Sequence, residues 1–200
     1  MKASLPKRPA DSSPPFLAGD VALDFLNTRV SIGGEVQDLL QTDADVLGWL
    51  EKAGFPVSKA AMRKVPRSLL QDTRDLRENV RSLVEKRKAG RWGDPSVLNK
   101  FLRYAQSHPQ LEWNDPRQPA LARIRNQDRP GCILAPVAEA AAVLLSSADF
   151  SLVKRCEGED CLLWFSDQTR SHHRRWCSTR ICGNRYKVAA FRKRQQGRVS

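Results

Sequence analysis

The sequence predicts a mainly α protein, in which a multihelical N-terminal domain with a minor β-hairpin precedes a small cysteine-rich module. Through much of the first 150 residues, apolar side chains recur at three- and four-residue steps, the period of amphipathic helices. The last 50 residues hold four of the five cysteines and twelve of the 34 lysines and arginines, but only four of the 22 acids. These observations predict two unequal modules, 16–150 and 151–200, behind a leader at 1–15.

The overall composition is that of an ordinary globular chain, with 40% hydrophobic and 28% charged residues. No apolar run approaches the length of a membrane span, so we expect no membrane partner. Residues 1–15 are rich in proline and lack the apolar core of a secretory signal, which predicts a flexible leader and a cytoplasmic protein. The net charge of +12 favours a polyanionic partner, and nucleic acid first among these.

The first apolar segment of the body leaves its structure open. Residues 21–25 alternate as in a strand, whereas Leu23, Leu26 and Val30 fit one face of a short helix. A turn is predicted at 32–35, where two glycines stand together. Capping residues, glycines, prolines and apolar periodicity then mark the remaining elements. The predicted segments are helices at 42–54, 67–89, 94–109 and 136–147, and a hairpin whose strands, 121–125 and 132–134, flank a turn at 126–131.

The cysteines of the C-terminal module are paired by spacing. Four residues separate Cys156 from Cys161, and Cys177 and Cys182 repeat that spacing after fifteen intervening residues. Each short pair lets one tight turn present two thiolates to a tetrahedral zinc ion. Four thiolates close the coordination shell, so we predict one structural Zn²⁺ in a treble-clef-like or knuckle module, with the metal supplying folding free energy.

Other uses of these cysteines stay open at this point. Two disulfides would suit a secreted domain, but the fifth cysteine, Cys132, would remain odd. An iron–sulfur cluster also takes four cysteines, although the symmetric spacing favours zinc. His172 or His173 could replace one thiol as a ligand, but we expect both to contact solvent or phosphate. We expect Cys132 to be a small core residue.

The C-terminal motif resembles the CGNR-type zinc finger, which is found at the C-terminus of bacterial proteins classed as stress-induced transcriptional regulators. The resemblance is carried by Cys156-x4-Cys161, Trp164-Phe165-x-Asp167, Arg174-Arg175-Trp176-Cys177-Ser178 and Cys182-Gly183-Asn184-Arg185-x-Lys187. It implies that the four cysteines are the zinc ligands and that the module binds DNA. Thr179 stands where a methionine is more usual.

The start of the body is similar to the opening of the ABATE domain, which precedes this finger in such proteins. The matching residues are Gly19-Asp20-x2-Leu23-Asp24-Phe25-x-Asn27-Thr28, followed by Trp49-Leu50 and Ala53-Gly54. The two resemblances together cover nearly the whole chain after the leader. They imply a DNA-binding regulator of transcription.

A basic helix is predicted from about residue 185 to 196, and no acidic residue follows Asp167. We expect Gly183 to let the chain turn into this helix, Asn184 to cap it, and Val188 and Phe191 to pack against the zinc knuckle. A helix N-terminus with arginines suits phosphate, and arginine pairs with guanine edges. The candidate nucleic-acid contacts are Arg174, Arg175, Arg180, Arg185, Lys187, Arg192, Lys193 and Arg194.

Double-stranded DNA is therefore the expected partner. Two other classes stay open: an RNA binder that stacks bases on Trp164, Trp176 or Tyr186, and an adaptor that offers the basic module to an acidic protein. A homodimer would suit a symmetric operator, although no apolar stripe marks a dimer face.

Asp24 and Asn27 interrupt an apolar segment and need hydrogen-bond partners if they are buried. They either line a pocket for a small polar effector or tie the first element to the body. Gly33-Gly34 lacks the lysine and hydroxyl of a phosphate loop, and no histidine lies in a catalytic context. We therefore expect no enzymatic activity.

Overall fold

The computed structural model describes residues 16–32, 34–125 and 130–196. Its helices are α1 (Val21–Leu26), α2 (Asp43–Lys52), α3 (Lys59–Met62), α4 (Leu69–Lys88), α5 (Ser96–Leu102), α6 (Ala135–Ser147) and α7 (Asn184–Gln196). Its strands are β1 (Arg29–Ile32), β2 (Glu35–Asp38), β3 (Ser107–Glu112), β4 (Ala120–Arg125), β5 (Val153–Arg155) and β6 (Trp164–Ser166). A 3₁₀ turn (Pro130–Ile133) precedes α6, and a π turn (Thr179–Gly183) leads into α7.

The fold is mainly α, as predicted, but the described residues form three antiparallel hairpins rather than one. The hairpins are β1–β2, β3–β4 and β5–β6. The predicted leader at 1–15 and the centre of the predicted turn at 126–131 lie outside the described residues. In the described part of the chain, no helix combines the length and apolar character needed to cross a bilayer.

The ambiguous first segment is a helix. The Asp20 side chain caps α1 by accepting hydrogen bonds from the backbone N–H groups of Ala22 and Leu23. Five of the six residues of α1 are buried, so the helix is covered on almost every side, and a sequence period cannot separate such a helix from a buried strand. The predicted turn at 32–35 falls between the end of β1 and the start of β2, and residue 33 lies outside the described residues.

Local signals predicted α2, α4 and α6 well. Thr42 accepts from the N–H of Asp45 while the Asp45 carboxylate accepts from the N–H of Thr42, which forms a capping box at the start of α2. The long amphipathic helix α4 begins at Leu69, two residues after the predicted start. Helix α6 begins at Ala135 with Pro136 in its first turn, where proline is tolerated.

The predicted pairing of the 121–125 strand is wrong. Strand β4 pairs with β3, which precedes it in the chain, and not with residues 132–134. Leu111 lies opposite Leu121 in this antiparallel pair. Residues 132–134 instead lie in the 3₁₀ turn and at the start of α6, where Cys132 is buried as expected. The third predicted helix is correspondingly shorter: α5 ends at Leu102, and His108 and Pro109 lie in β3. Edge strands tolerate proline, which explains how Pro109 fits there.

The core sits around α1. This short helix packs against α4, α6 and β6. The buried residues form one continuous cluster, from Leu23 and Phe25 through Val137 to Phe165 and Cys177. The two predicted modules therefore share a core.

A buried arginine fastens the β1–β2 hairpin to α4. Arg77 is 2% exposed, and its guanidinium donates to both carboxylate oxygens of Asp38 and to the hydroxyl of Thr28. Burial raises the pKa of Asp38, but the hydrogen bonds and charge of Arg77 outweigh this effect and hold it below its ordinary value of 3.8. The ionised carboxylate is therefore the form that the fold prefers.

We expect the contribution of Asp38 to stability to depend on pH. A depressed pKa gives stability that is present above pH 3.8 and lost as the pH falls through the folded-state value. Asp38→Asn should lower the free energy of unfolding by about 1–3 kcal/mol near neutral pH, and the difference from wild type should shrink in acid. Urea unfolding of both proteins over that range measures it. Asp75→Asn, at an exposed position of α4, is the control. A difference that stays constant with pH would contradict the assignment.

Candidate metal centre and basic surface

The four paired cysteines meet at one point. Cys156 directly follows β5, Cys161 lies before β6, Cys177 precedes the π turn, and Cys182 lies within it. Their sulfur atoms are all within 4.8 Å of one another, with 3.9 Å between Cys161 and Cys177 and 3.5 Å between Cys177 and Cys182. Tetrahedral zinc at about 2.3 Å from each sulfur gives sulfur–sulfur edges of about 3.8 Å. The cluster fits one zinc ion.

The backbone of the first pair is shaped around the sulfur atoms. The Cys156 sulfur accepts hydrogen bonds from the N–H of Gly158 at 3.4 Å and from the N–H of Cys177 at 3.2 Å. Gly158 lies so close to the cluster that a Cβ atom there would be 3.2 Å from the Cys182 sulfur. Such N–H···S contacts favour the thiolate form and orient it.

The acidities of three of the thiols are linked. Hydrogen bonds from the thiols of Cys161 and Cys177 lower the pKa of Cys156. Donation to the Cys156 sulfur raises the pKa of Cys161 and of Cys177. Zn²⁺ binding would displace the thiol protons.

The alternative ligand sets do not match this geometry. All five cysteines are free, and the measured sulfur separations far exceed the disulfide bond of about 2.05 Å. His172 lies outside the cluster, with its Nδ1 atom 3.2 Å from the Asp167 carbonyl oxygen. Cys132 is buried in the core, apart from the four ligands.

Two family models match the chain. Residues 153–195 match the CGNR zinc finger. Residues 19–148, more than half of the chain, match ABATE, whose description is "Putative stress-induced transcription regulator". The chain belongs to the ABATE family. The order of the two matches is the order that the sequence motifs predicted, and the CGNR finger confirms zinc as the metal of the four cysteines. No curated protein gives a significant match to the chain.

A buried carboxylate organises the CGNR finger. Asp167 is fully buried and accepts hydrogen bonds from Lys154 Nζ, from both the N–H and the hydroxyl of Thr169, and from the N–H of Arg174. Burial raises the pKa of Asp167, but these donors outweigh it and hold the pKa well below its usual range. The sequence motif contained Asp167, but we assigned it no role. The sequence did set Asp167 apart, because it is the last acidic residue and a segment with no acid and many cations follows it.

Arg174 belongs to this internal network. Its guanidinium donates to the carbonyl oxygens of Trp176, Cys177 and Leu17, and it lies over the Phe165 ring at 4.3 Å. These contacts join the finger to the start of the ABATE domain. Arg174, a candidate DNA contact, thus uses three of its N–H groups in hydrogen bonds inside the protein.

Asp24 and Asn27 also lie at the junction of the two domains. The Asn27 side chain is fully buried; its amide donates to the Trp164 carbonyl at 2.8 Å and accepts from the Trp164 N–H at 2.9 Å. Asp24 accepts from the N–H groups of Leu17 and Ala18, and Ala18 accepts in turn from the N–H of Ser166. These contacts match the tying role, while the effector role of Asp24 and Asn27 stays a prediction.

The predicted packing of α7 is wrong in one respect. Val188 and Phe191 do not pack against the knuckle but are 49% and 56% exposed. Tyr186 contacts the finger instead, with its ring 5.0 Å from that of Trp176, although it is itself 51% exposed. The sequence period correctly places Val188 and Phe191 on one side of the helix, but it does not tell which side the finger covers.

The start of α7 also differs from expectation. Asn184 has helical backbone angles and continues the chain out of the π turn rather than capping the helix. Ser178 is the capping residue, since its side chain accepts from the N–H of Ile181. Gly183 does not have the left-handed backbone of a turn glycine, but it is closely packed, because a Cβ atom there would lie 3.3 Å from both Trp176 and Thr179.

The other candidate DNA contacts differ in whether their side chains already have partners within the protein. Arg175 is exposed, donates from Nε to Glu157 at 2.6 Å and lies over the Trp176 ring. The side chain of Lys193 lies outside the described residues. The remaining candidates are exposed on the finger: Arg180, Arg185, Lys187, Arg192 and Arg194.

A cleft of about 540 Å³ opens beside the π turn. Its lining combines hydroxyl groups and arginines, which can donate to phosphate oxygens, with the apolar surface of Trp176. The lining residues are Thr169, Ser171, His173, Arg174, Arg175, Trp176, Ser178 and Thr179.

Proposed function

We propose that this protein is a DNA-binding transcription regulator that contacts duplex DNA through its CGNR finger. The observation that carries the proposal is the one-sided charge of the finger. Residues 168–196 contain no acid, and six of the candidate basic side chains are exposed there. The family description agrees with this role.

The proposed role of zinc is structural. Four cysteine ligands leave no open position at which water could be activated, so we propose a binding protein rather than an enzyme. The knuckle between β5 and β6, followed by a helix whose entry supplies the second cysteine pair, is consistent with a treble-clef-like arrangement. In this arrangement the metal fixes the entry of α7, which carries the basic residues.

Two of the three rings that could stack single-stranded bases are covered or engaged. Trp164 is 5% exposed and Trp176 is engaged with Tyr186 and Arg175, whereas Tyr186 itself is 51% exposed, so the preference for duplex DNA rests on the charge of the finger. Single-strand binders need accessible rings on which bases can stack. The cleft beside the π turn, with its hydroxyl groups and Arg175, offers a place for a backbone phosphate. Sensing of a small effector by the ABATE domain remains a proposal without an assigned pocket.

Binding of the zinc-loaded protein to duplex DNA should weaken steeply with salt. If about five cations meet phosphates, the logarithmic slope should be about −4.5, a loss of several hundredfold between about 50 and 200 mM salt. Fluorescence anisotropy with a labelled duplex measures it. Arg180→Gln should reduce the slope by about one. Arg117→Gln, on an exposed ABATE loop, is the matched control and should leave the slope unchanged.

Failure to bind duplex at the lowest salt, with zinc content and helicity intact, would contradict the proposed function. Saturable binding to an acidic protein in place of DNA would identify the finger as an adaptor.

A further inference from the structure

The outward side of α7 carries an apolar ridge, Val188 and Phe191. The two residues are three positions apart, so they lie together on one side of the helix. On the opposite side of the helix start, the Tyr186 ring lies 5.0 Å from that of Trp176 while remaining 51% exposed. Val188 and Phe191 lie on the other side of α7, and about half of each residue's surface remains in water, so the ridge is open to a partner.

Two rows of cations flank this ridge. Arg185 and Arg192 are seven residues apart and form one row, and Lys187 and Arg194 form the other. At about 100° per residue, one row lies on each side of Val188 and Phe191. All four cationic side chains are exposed.

We propose that α7 enters the major groove of duplex DNA with this ridge toward the groove floor, and that Val188 and Phe191 recognise thymine methyl groups. The inference rests on the proposed DNA-binding function and adds which side of the helix contacts bases. The thymine methyl is the apolar group that the major groove presents, and apolar side chains contact it.

The dimensions and charges fit this placement. A helix with its side chains is about 10–12 Å across, and the B-form major groove is about 12 Å wide. A cationic row on each flank would then face one of the two phosphate backbones that wall the groove. The deep, narrow major groove of duplex RNA would exclude the helix. A second copy of α7 would bring like-charged rows together, which opposes self-association through this face.

The test compares two duplexes that differ only in the thymine methyl. One is an alternating adenine–thymine duplex about two helical turns, or about 21 base pairs, long, and the other has deoxyuridine at every thymine. Wild-type protein should bind the thymine duplex more tightly, by about fourfold for each methyl group that the ridge covers. Val188→Ala and Phe191→Ala should each reduce this ratio. Arg192→Gln should weaken binding to both duplexes and leave the ratio unchanged.

The outcomes separate the two proposals. Equal binding of both duplexes by wild type would overturn the methyl recognition and leave DNA binding intact. Absence of binding to either duplex would overturn both proposals. Binding to phosphatidylglycerol vesicles that Phe191→Ala abolishes, with no preference for thymine, would assign the ridge to a membrane surface and overturn the inference. Zinc content and circular dichroism establish that each variant is folded, as expected for changes at half-exposed positions.

Discussion

Removing the zinc ion is expected to unfold the CGNR finger and to loosen the ABATE domain with it. Structural zinc sites contribute about 10–16 kcal/mol of apparent free energy in small peptides, and a segment of this size has little core of its own. Without the metal, Cys156, Cys177 and Cys182 would remain buried with no ion to coordinate. They belong to the same core cluster as Phe165, and β6 packs directly on α1. Loss of the metal should therefore reach α1.

Hydrogen exchange of the metal-loaded and chelated proteins measures this effect, with thermal unfolding as a second readout. Cys177→Ser should abolish stoichiometric zinc binding and increase exchange in both the finger and α1. Cys132→Ala is the control, because Cys132 lies outside the cluster and should keep one zinc ion per chain. Unchanged protection of α1 in the metal-free protein would show that the domains fold independently and would contradict the prediction.

Asn27→Ala is expected to be strongly destabilising. The substitution removes two hydrogen bonds at once and leaves both the N–H and the C=O of Trp164 without a partner in a buried position. Each unsatisfied buried group costs about 1–3 kcal/mol, so the loss in free energy of unfolding should be about 2–6 kcal/mol. Asn27→Asp should also destabilise the protein, since it keeps the acceptor but removes the donor and buries a charge.

Denaturant unfolding of the zinc-loaded variants measures the loss. Asn184→Ala is the matched control, because Asn184 is exposed at the start of α7 and should change stability by less than about 0.5 kcal/mol. A loss from Asn27→Ala as small as that of the control would mean that the contact with Trp164 contributes little.

Features that short-range chemistry determines could be predicted from sequence. The zinc ligands were identified because two turns of fixed length each present a cysteine pair to one ion. The capping box of α2 and the apolar stripe of α4 were equally local. The pairing of β4 could not be predicted in this way. The segments before and after β4, residues 107–112 and 132–134, were both plausible partners, and tertiary packing selects β3.

Cationic side chains were the least predictable part of the site. Arg174 and Arg185 look alike in the sequence, yet Arg174 donates to three backbone carbonyls while Arg185 is exposed. Buried Arg77 was likewise absent from our expectations. A guanidinium can serve carbonyl oxygens inside a protein or phosphates outside it, and sequence spacing does not separate the two uses.

The contact between Asn27 and Trp164 bears on how modular this protein is. The Asn27 carboxamide donates to the carbonyl of Trp164 and accepts from its N–H, as the backbone of a neighbouring strand would. Because Trp164 lies in β6, Asn27 acts as a one-residue extension of the β5–β6 sheet. The β5–β6 sheet of the finger is thus completed by a residue of the other domain, the one that directly follows α1. Grafting the finger alone onto another protein would leave the backbone of Trp164 at that edge without its hydrogen-bond partner.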